Sequence, residues 1–229
     1  MERMKIQGTP AGQVEESGKG YDVSRRSFFK LTGGIAGLGL LYASCKPKGN
    51  PTNIYLGSGD IALLNFIYIT QQIEAAFYIQ AVATPYYGAD HLEYIALVDV
   101  RDQEIAHREY IKKLLGIHAV TTISPDFSSV TFADRASVTS KAAELENIVI
   151  SGMNSALNHF TDKAYALALS KMTSVEARHS AYFSDLHSWN SFGNVIDADG
   201  LDQSVAPRVA LANINAFSHT NYDASNLPN

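Results

Sequence analysis

Cysteine is nearly absent: Cys45 is the only one in 229 residues. A single thiol cannot build an internal disulfide framework or a multi-cysteine zinc or iron–sulfur site. No apolar run reaches the roughly 18 residues of a membrane-spanning helix. Basic clusters are also missing: the longest is Arg25-Arg26, and the formal net charge is −5. That balance speaks against a nucleic-acid partner. What is present is a globular composition, 46% hydrophobic and 18% charged, too apolar for a disordered chain. At roughly 150 residues per domain the length admits one or two domains. Seven histidines and 23 acidic residues form the remaining chemical vocabulary.

Residues 1–44 read as an export signal. A polar, glycine-bearing start leads to Ser24-Arg25-Arg26-Ser27-Phe28-Phe29-Lys30, then to a mildly apolar stretch, Leu31 to Ser44, interrupted by Gly33, Gly34, Gly37 and Gly39. A charged segment, a short apolar segment and small residues at its end describe an address, since the glycines would weaken a structural helix. The run around Arg25 and Arg26 resembles a twin-arginine export motif. Cys45 follows Ala43-Ser44 where the apolar stretch ends, which resembles a bacterial lipoprotein box. Lipidation at Cys45 would tether the protein to a membrane; cleavage nearby and retention as an uncleaved anchor are the alternatives. Residues 45–57, with Pro47, Gly49, Pro51 and Gly57, read as a linker.

From residue 58 the pattern is helical. Leu63, Ile67, Thr70, Glu74, Phe77 and Ala81 advance by threes and fours, as one face of a helix does. Pro85 and Gly88 end that segment. Leu97, Val100, Glu104, His107, Ile111 and Leu114 form a second stripe, stopped by Gly116. A less ordered stretch from Ile117 to about Ser137 follows. Ala142, Glu146, Val149, Met153, Leu157 and Phe160 give the third stripe; Leu169, Met172, Glu176, His179, Phe183 and Leu186 give the fourth. Residues 191–229 read as a polar C-terminal extension, with room for a short helix between Ser204 and Phe217.

Four carboxylates and two imidazoles lie inside these apolar stripes: Glu74, Glu104, His107, Glu146, Glu176 and His179. A buried carboxylate is costly unless paired or bound to a metal. The second helix pair repeats the first with an offset of 72 residues, so that Glu74 maps to Glu146, Glu104 to Glu176 and His107 to His179. Packing positions obey the same offset, Leu97 to Leu169 and Ile111 to Phe183 among them. In Glu-x-x-His, the two side chains share a helix face one turn apart and reach one site. Two such motifs, each preceded by a lone inward Glu 30 residues earlier, predict two divalent metal ions. Mixed oxygen and nitrogen ligands suit iron first, then manganese.

This arrangement resembles the ferritin-like superfamily, whose di-metal members take one Glu from each of two helices and Glu-x-x-His from each of the other two. The residues around the six, from Gln72 to Tyr78, Glu104 to His107, Leu145 to Asn147 and Val175 to Tyr182, resemble the exported ferritin-like domain family that includes desiccation-related proteins. The resemblance covers residues 58–190. It implies an all-α, ferritin-like four-helix bundle of two antiparallel hairpins joined by a long crossover. The middle link of roughly 20 residues is long enough to run the length of a bundle at about 3.3 Å per residue. The resemblance also implies Glu104 and Glu176 as bridging carboxylates, His107 and His179 as one ligand to each metal, and Glu74 and Glu146 as terminal ligands.

Tyr78, one turn after Glu74, is placed to hydrogen-bond a ligand or to pack; Tyr110 and Tyr182 read alike. Arg178 points outward. His91, His118, His159, His187 and His219 fit no ligand spacing and read as surface or capping residues. The expected function is an exported, membrane-tethered protein with a dinuclear iron or manganese centre, oxidising Fe(II) or reacting with oxygen or peroxide. The alternative is a non-enzymatic metal-binding or structural protein of the envelope stress response. A homo-oligomer stays open.

Overall fold

The computed structural model describes residues 53–88, 91–192 and 196–229; Arg25, Arg26 and Cys45 lie outside them. Four long helices, α1 (Asp60–Ala83), α2 (Leu92–Leu115), α3 (Arg135–Leu157) and α4 (Lys163–His187), form the body. A short helix α5 (Pro207–Ile214) and a parallel pair of two-residue strands, β1 (Ile54–Tyr55) and β2 (Tyr222–Asp223), complete it. This is the all-α bundle the stripes predict: α1 packs on α2 and α3 on α4, each a tightly joined hairpin. No helix among the described residues is long and apolar enough to cross a membrane.

The helix ends follow from local chemistry. His91, Asp134 and Asp162 cap α2, α3 and α4 by accepting a backbone N–H of the first turn, which satisfies one of the orphan donors there. Gly116 ends α2 at φ 55°, a backbone angle that other residues adopt with strain. Asp60 at the start of α1 accepts the N–H groups of Thr161 and Asp162, each at 2.8 Å, which locks the α3–α4 turn to the first hairpin.

Helix α1 is the central element. Its stripe is buried as expected, and so are Leu64, Phe66, Ile69 and Ile73 off the stripe. The reason is that the crossover between α2 and α3 is laid along its back. Asn65 donates to the carbonyls of Leu56 and His118 and accepts from Val120 N–H. Farther along, Gln72 accepts from Ile123 N–H at 3.0 Å. Phe127 and Phe132 from the crossover then pack against Phe77, edge-on and tilted, with ring centroids 5.5 Å apart in each case. The C-terminal segment adds the rest of the cover. Its helix α5, inside the stretch expected to hold a short helix, packs on α3 and α1, and β2 returns the chain to β1.

The two motif-bearing helices, α2 and α4, stay farther apart in backbone than the hairpin partners do. The gap between them is filled by the polar side chains of the site.

Candidate metal centre

Each hairpin supplies one lone carboxylate from its first helix and one Glu-x-x-His pair from its second. All four carboxylates are fully buried, His179 is 5% exposed and His107 is mostly buried. The structure brings all six predicted residues together. Their ligand atoms fall into three groups whose members lie within 4.8 Å of one another: Glu104, Glu146 and His179; Glu104, His107 and Glu176; and Glu74, Glu146 and Glu176.

The two motif carboxylates hold the middle. Glu104 presents Oε2 to His107 Nδ1 at 3.5 Å and Oε1 to His179 Nδ1 at 2.9 Å. Glu176 presents Oε1 to His107 Nδ1 at 2.9 Å and Oε2 to His179 Nδ1 at 3.5 Å. Each therefore spans both imidazoles, one oxygen apiece. Glu146 reaches only His179, at 3.8 Å. The imidazole rings lie 6.4 Å apart between centroids.

Outer residues brace this set. The Tyr78 hydroxyl donates a short hydrogen bond to Glu146 Oε1. Gln71 Nε2 donates to Glu74 Oε2 at 2.7 Å and to Glu176 Oε1 at 3.1 Å. Gln103 Oε1 lies 3.2 Å from Nε2 of His179, so the ring's outward nitrogen donates and its Nδ1 faces the carboxylates.

Whether a cation suits the cluster can be read from its unsatisfied atoms. Glu74 Oε1, both oxygens of Glu104, Glu146 Oε2, Glu176 Oε2 and Nδ1 of both histidines are buried without a hydrogen bond of acceptable geometry. Buried polar atoms are almost always satisfied. Six of these atoms meet one another only as ion pairs at 2.9 to 3.8 Å, and Glu74 Oε1 meets none among the described residues; all seven are oxygen or imidazole nitrogen, the donor set of a divalent transition metal. The cluster could hold a metal ion.

Electrostatics describe the same strain. Burial holds the Glu74 carboxyl well above the usual range, and Glu176, Glu104 and Glu146 raise it further. Burial also holds Glu146 well above that range, and His179 does not offset it. Glu176 goes the other way: burial would raise it, but His107 and His179 together bring it down to about 2. Burial alone would lower both imidazoles, yet the carboxylates raise His107 to about 10 and His179 to about 11. Burial first, then Glu146, pushes the Tyr78 phenol well up, keeping it a donor.

Sequence reasoning missed Gln71 and Gln103. Gln71 sits three residues before Glu74 on the same helix face, and an amide in so apolar a helix is a readable signal. Gln103 lies at the edge of the α2 face, three residues after Val100 and four before His107, but its partner is on another helix. The remaining sequence candidates stay outside. Arg178 bonds back to its own helix at Ser174. Tyr110 is exposed and Tyr182 packs edge-to-face with Phe183. His91 caps α2, and His219 faces Asp126 at 3.7 Å.

A family model described as a ferritin-like domain matches residues 59–188, which spans the four long helices. No curated protein matches the chain.

Proposed function

The chain belongs to the ferritin-like domain family, and on that premise we propose that the six-residue cluster binds two divalent cations, iron or manganese. The observation that carries this reading is the pair of buried carboxylates, Glu104 and Glu176, each spanning both imidazoles. Four carboxylates offset the charge of two dications, and four buried carboxylates gain a compensating charge when ions bind. His107 and Glu74 serve one position, His179 and Glu146 the other, with Glu104 and Glu176 shared.

Bound there, the metal pair supplies one-electron oxidation with dioxygen or peroxide as acceptor, and ferrous iron is the proposed substrate. The protein's own part is positional. Tyr78 and Gln71 hold the terminal carboxylates by donating to them, and Gln103 fixes the ring of His179. Apolar burial around the cluster limits water's access.

We also propose an exported protein tethered through Cys45, supported by the Arg25-Arg26 motif and the small residues before that cysteine. Replacing Arg25 and Arg26 by lysine should hold the chain in the cytoplasm, and Cys45→Ala should release it from membranes. Retention of membrane association by Cys45→Ala would rule out the lipid anchor.

The functional test is metal analysis of the full chain from its native envelope, followed by anaerobic loading with Fe(II) and rapid mixing with oxygen or peroxide. Stoichiometric metal and fast oxidation, both lost in Glu104→Ala, support the reading. Unchanged tight metal binding in Glu104→Ala overturns it. Metal without fast oxidation leaves a non-enzymatic metal-binding protein.

A further inference from the structure

The 72-residue repeat relates the two halves of the centre, but it does not extend to the residues that brace them. Gln103 accepts from Nε2 of His179 at 3.2 Å. Its repeat mate is Val175, which has no acceptor to offer His107. Tyr78 donates to Glu146; its mate, Ile150, has no hydroxyl for Glu74. Gln71 donates to Glu74 and Glu176, and its mate is Ala143.

The consequence differs by position. At one, both terminal ligands have an outer partner: Glu146 has Tyr78, and His179 has Gln103. At the other, Glu74 has Gln71, but His107 has no such partner among the described residues. The His107 side chain is also more open, 13% exposed against 6% for His179. An outer acceptor fixes a ligating imidazole's tautomer and ring orientation and raises its basicity, and losing such a partner typically costs about 10–100-fold in metal affinity.

We propose that the two metal positions are unequal, the His179 position binding a divalent cation more tightly than the His107 position, and that Gln103 is the positioning residue that makes them so. This rests on the metal-binding reading above and adds an order to it: the tight position fills first, and the His107 position exchanges its ion with solvent.

Two dications side by side repel, so stepwise binding alone is insufficient as a test. Single-histidine variants of the full chain read each position separately, with Co(II) as the probe and visible absorbance and calorimetry as readouts. His107→Ala, which keeps the His179 position, should bind one ion at least about tenfold tighter than His179→Ala. Gln103→Val added to His107→Ala should erase that advantage, whereas Gln103→Glu, which keeps an acceptor, should preserve it. Val175→Gln added to His179→Ala should tighten the weak position. Gln103 and Val175 are both part-exposed, so these changes leave the core intact. In a chain with both histidines, Gln103→Val should narrow the gap between the two binding steps, an independent readout needing no histidine variant. Equal affinities in the two single-histidine variants, or an unchanged gap in Gln103→Val, would overturn the inference while leaving metal binding in place. A wild-type chain that takes up no Co(II) would overturn the metal-binding reading and this inference together.

Discussion

His107 of α2 stands closer to Glu176 of α4, 2.9 Å from Nδ1 to Oε1, than to Glu104 of its own motif, 3.5 Å away. His179 mirrors this, 2.9 Å from Glu104 and 3.5 Å from Glu176. Each Glu-x-x-His motif is therefore completed by the opposite helix. Neither hairpin holds a whole site, and only the folded bundle can assemble one.

That crossing sets the expected pattern of ligand substitutions. Glu104 and Glu176 each touch both imidazoles, so Glu104→Ala or Glu176→Ala should empty the centre. Glu74→Ala should remove one ion and keep the other, since Glu74 contacts neither imidazole at ion-pair distance among the described residues. Elemental analysis of purified protein, as ions per chain, checks this. Equal losses in Glu74→Ala and Glu104→Ala would refute the bridging assignment.

Metal uptake should release protons and strengthen with pH. Burial and neighbouring carboxylates hold Glu74 and Glu146 well above their ordinary range, so before ions bind these groups keep their protons to higher pH than ordinary carboxyls do. His107 and His179, raised to about 10 and about 11, are protonated in neutral solution. Ligands must shed these protons to coordinate. Raising pH removes the competitor, so affinity climbs from acid through neutral to mildly alkaline solution. Calorimetry in two buffers of different ionisation enthalpy should report net proton release per chain. A heat independent of buffer would contradict the protonation pattern.

Much of this site was legible in the sequence because side chains that converge from a helix must obey its period. The six residues lie within 3.6-residue stripes, and the offset of 72 pairs them. The surroundings were less legible because their partners are distant in sequence. Nothing near Asn65 or Gln72 signals that they peg the crossover, since the groups they bind are 51 to 55 residues away. Gln103 bonds a histidine 76 residues on, from the edge of the α2 face. The buried back of α1 was hidden for the same reason: the chain that follows α2 is pegged to it at Asn65 and Gln72, far along the sequence.

Arg135 ties one end of the bundle together. Its guanidinium donates through Nε and Nη2 to Glu93 on α2, at 2.9 to 3.1 Å, and through Nη1 to the carbonyl of Leu186 on α4. Glu93 also accepts from Tyr86 in the α1–α2 turn. Forked geometry makes this pair stronger than a single-point contact, although the arginine side chain is 37% exposed and partly screened. Arg135→Ala should destabilise by about 1–2 kcal/mol. Arg135→Lys should recover only part, because an ammonium cannot form the fork. Denaturant melts measure both, and full recovery by lysine would argue that charge alone matters.

Gly152 decides how closely the C-terminal helix sits. A Cβ at this position of α3 would meet Ala210 Cβ of α5 at 2.7 Å and the Phe66 ring of α1 at 2.8 Å. Both neighbours are fully buried, so neither can swing into solvent. Replacing glycine by alanine inside a helix ordinarily gains about 1 kcal/mol. Here overpacking should outweigh that gain, for a net loss of about 1–2 kcal/mol in Gly152→Ala. Adding Ala210→Gly relieves one of the two clashes and leaves Phe66. The double variant should therefore be more stable than the sum of the single changes implies, with coupling of at least about 0.5 kcal/mol. A stabilising Gly152→Ala, or strict additivity in the double variant, would mean that α5 is not seated on α3, and that residues 207–214 are an appendage rather than part of the bundle's core.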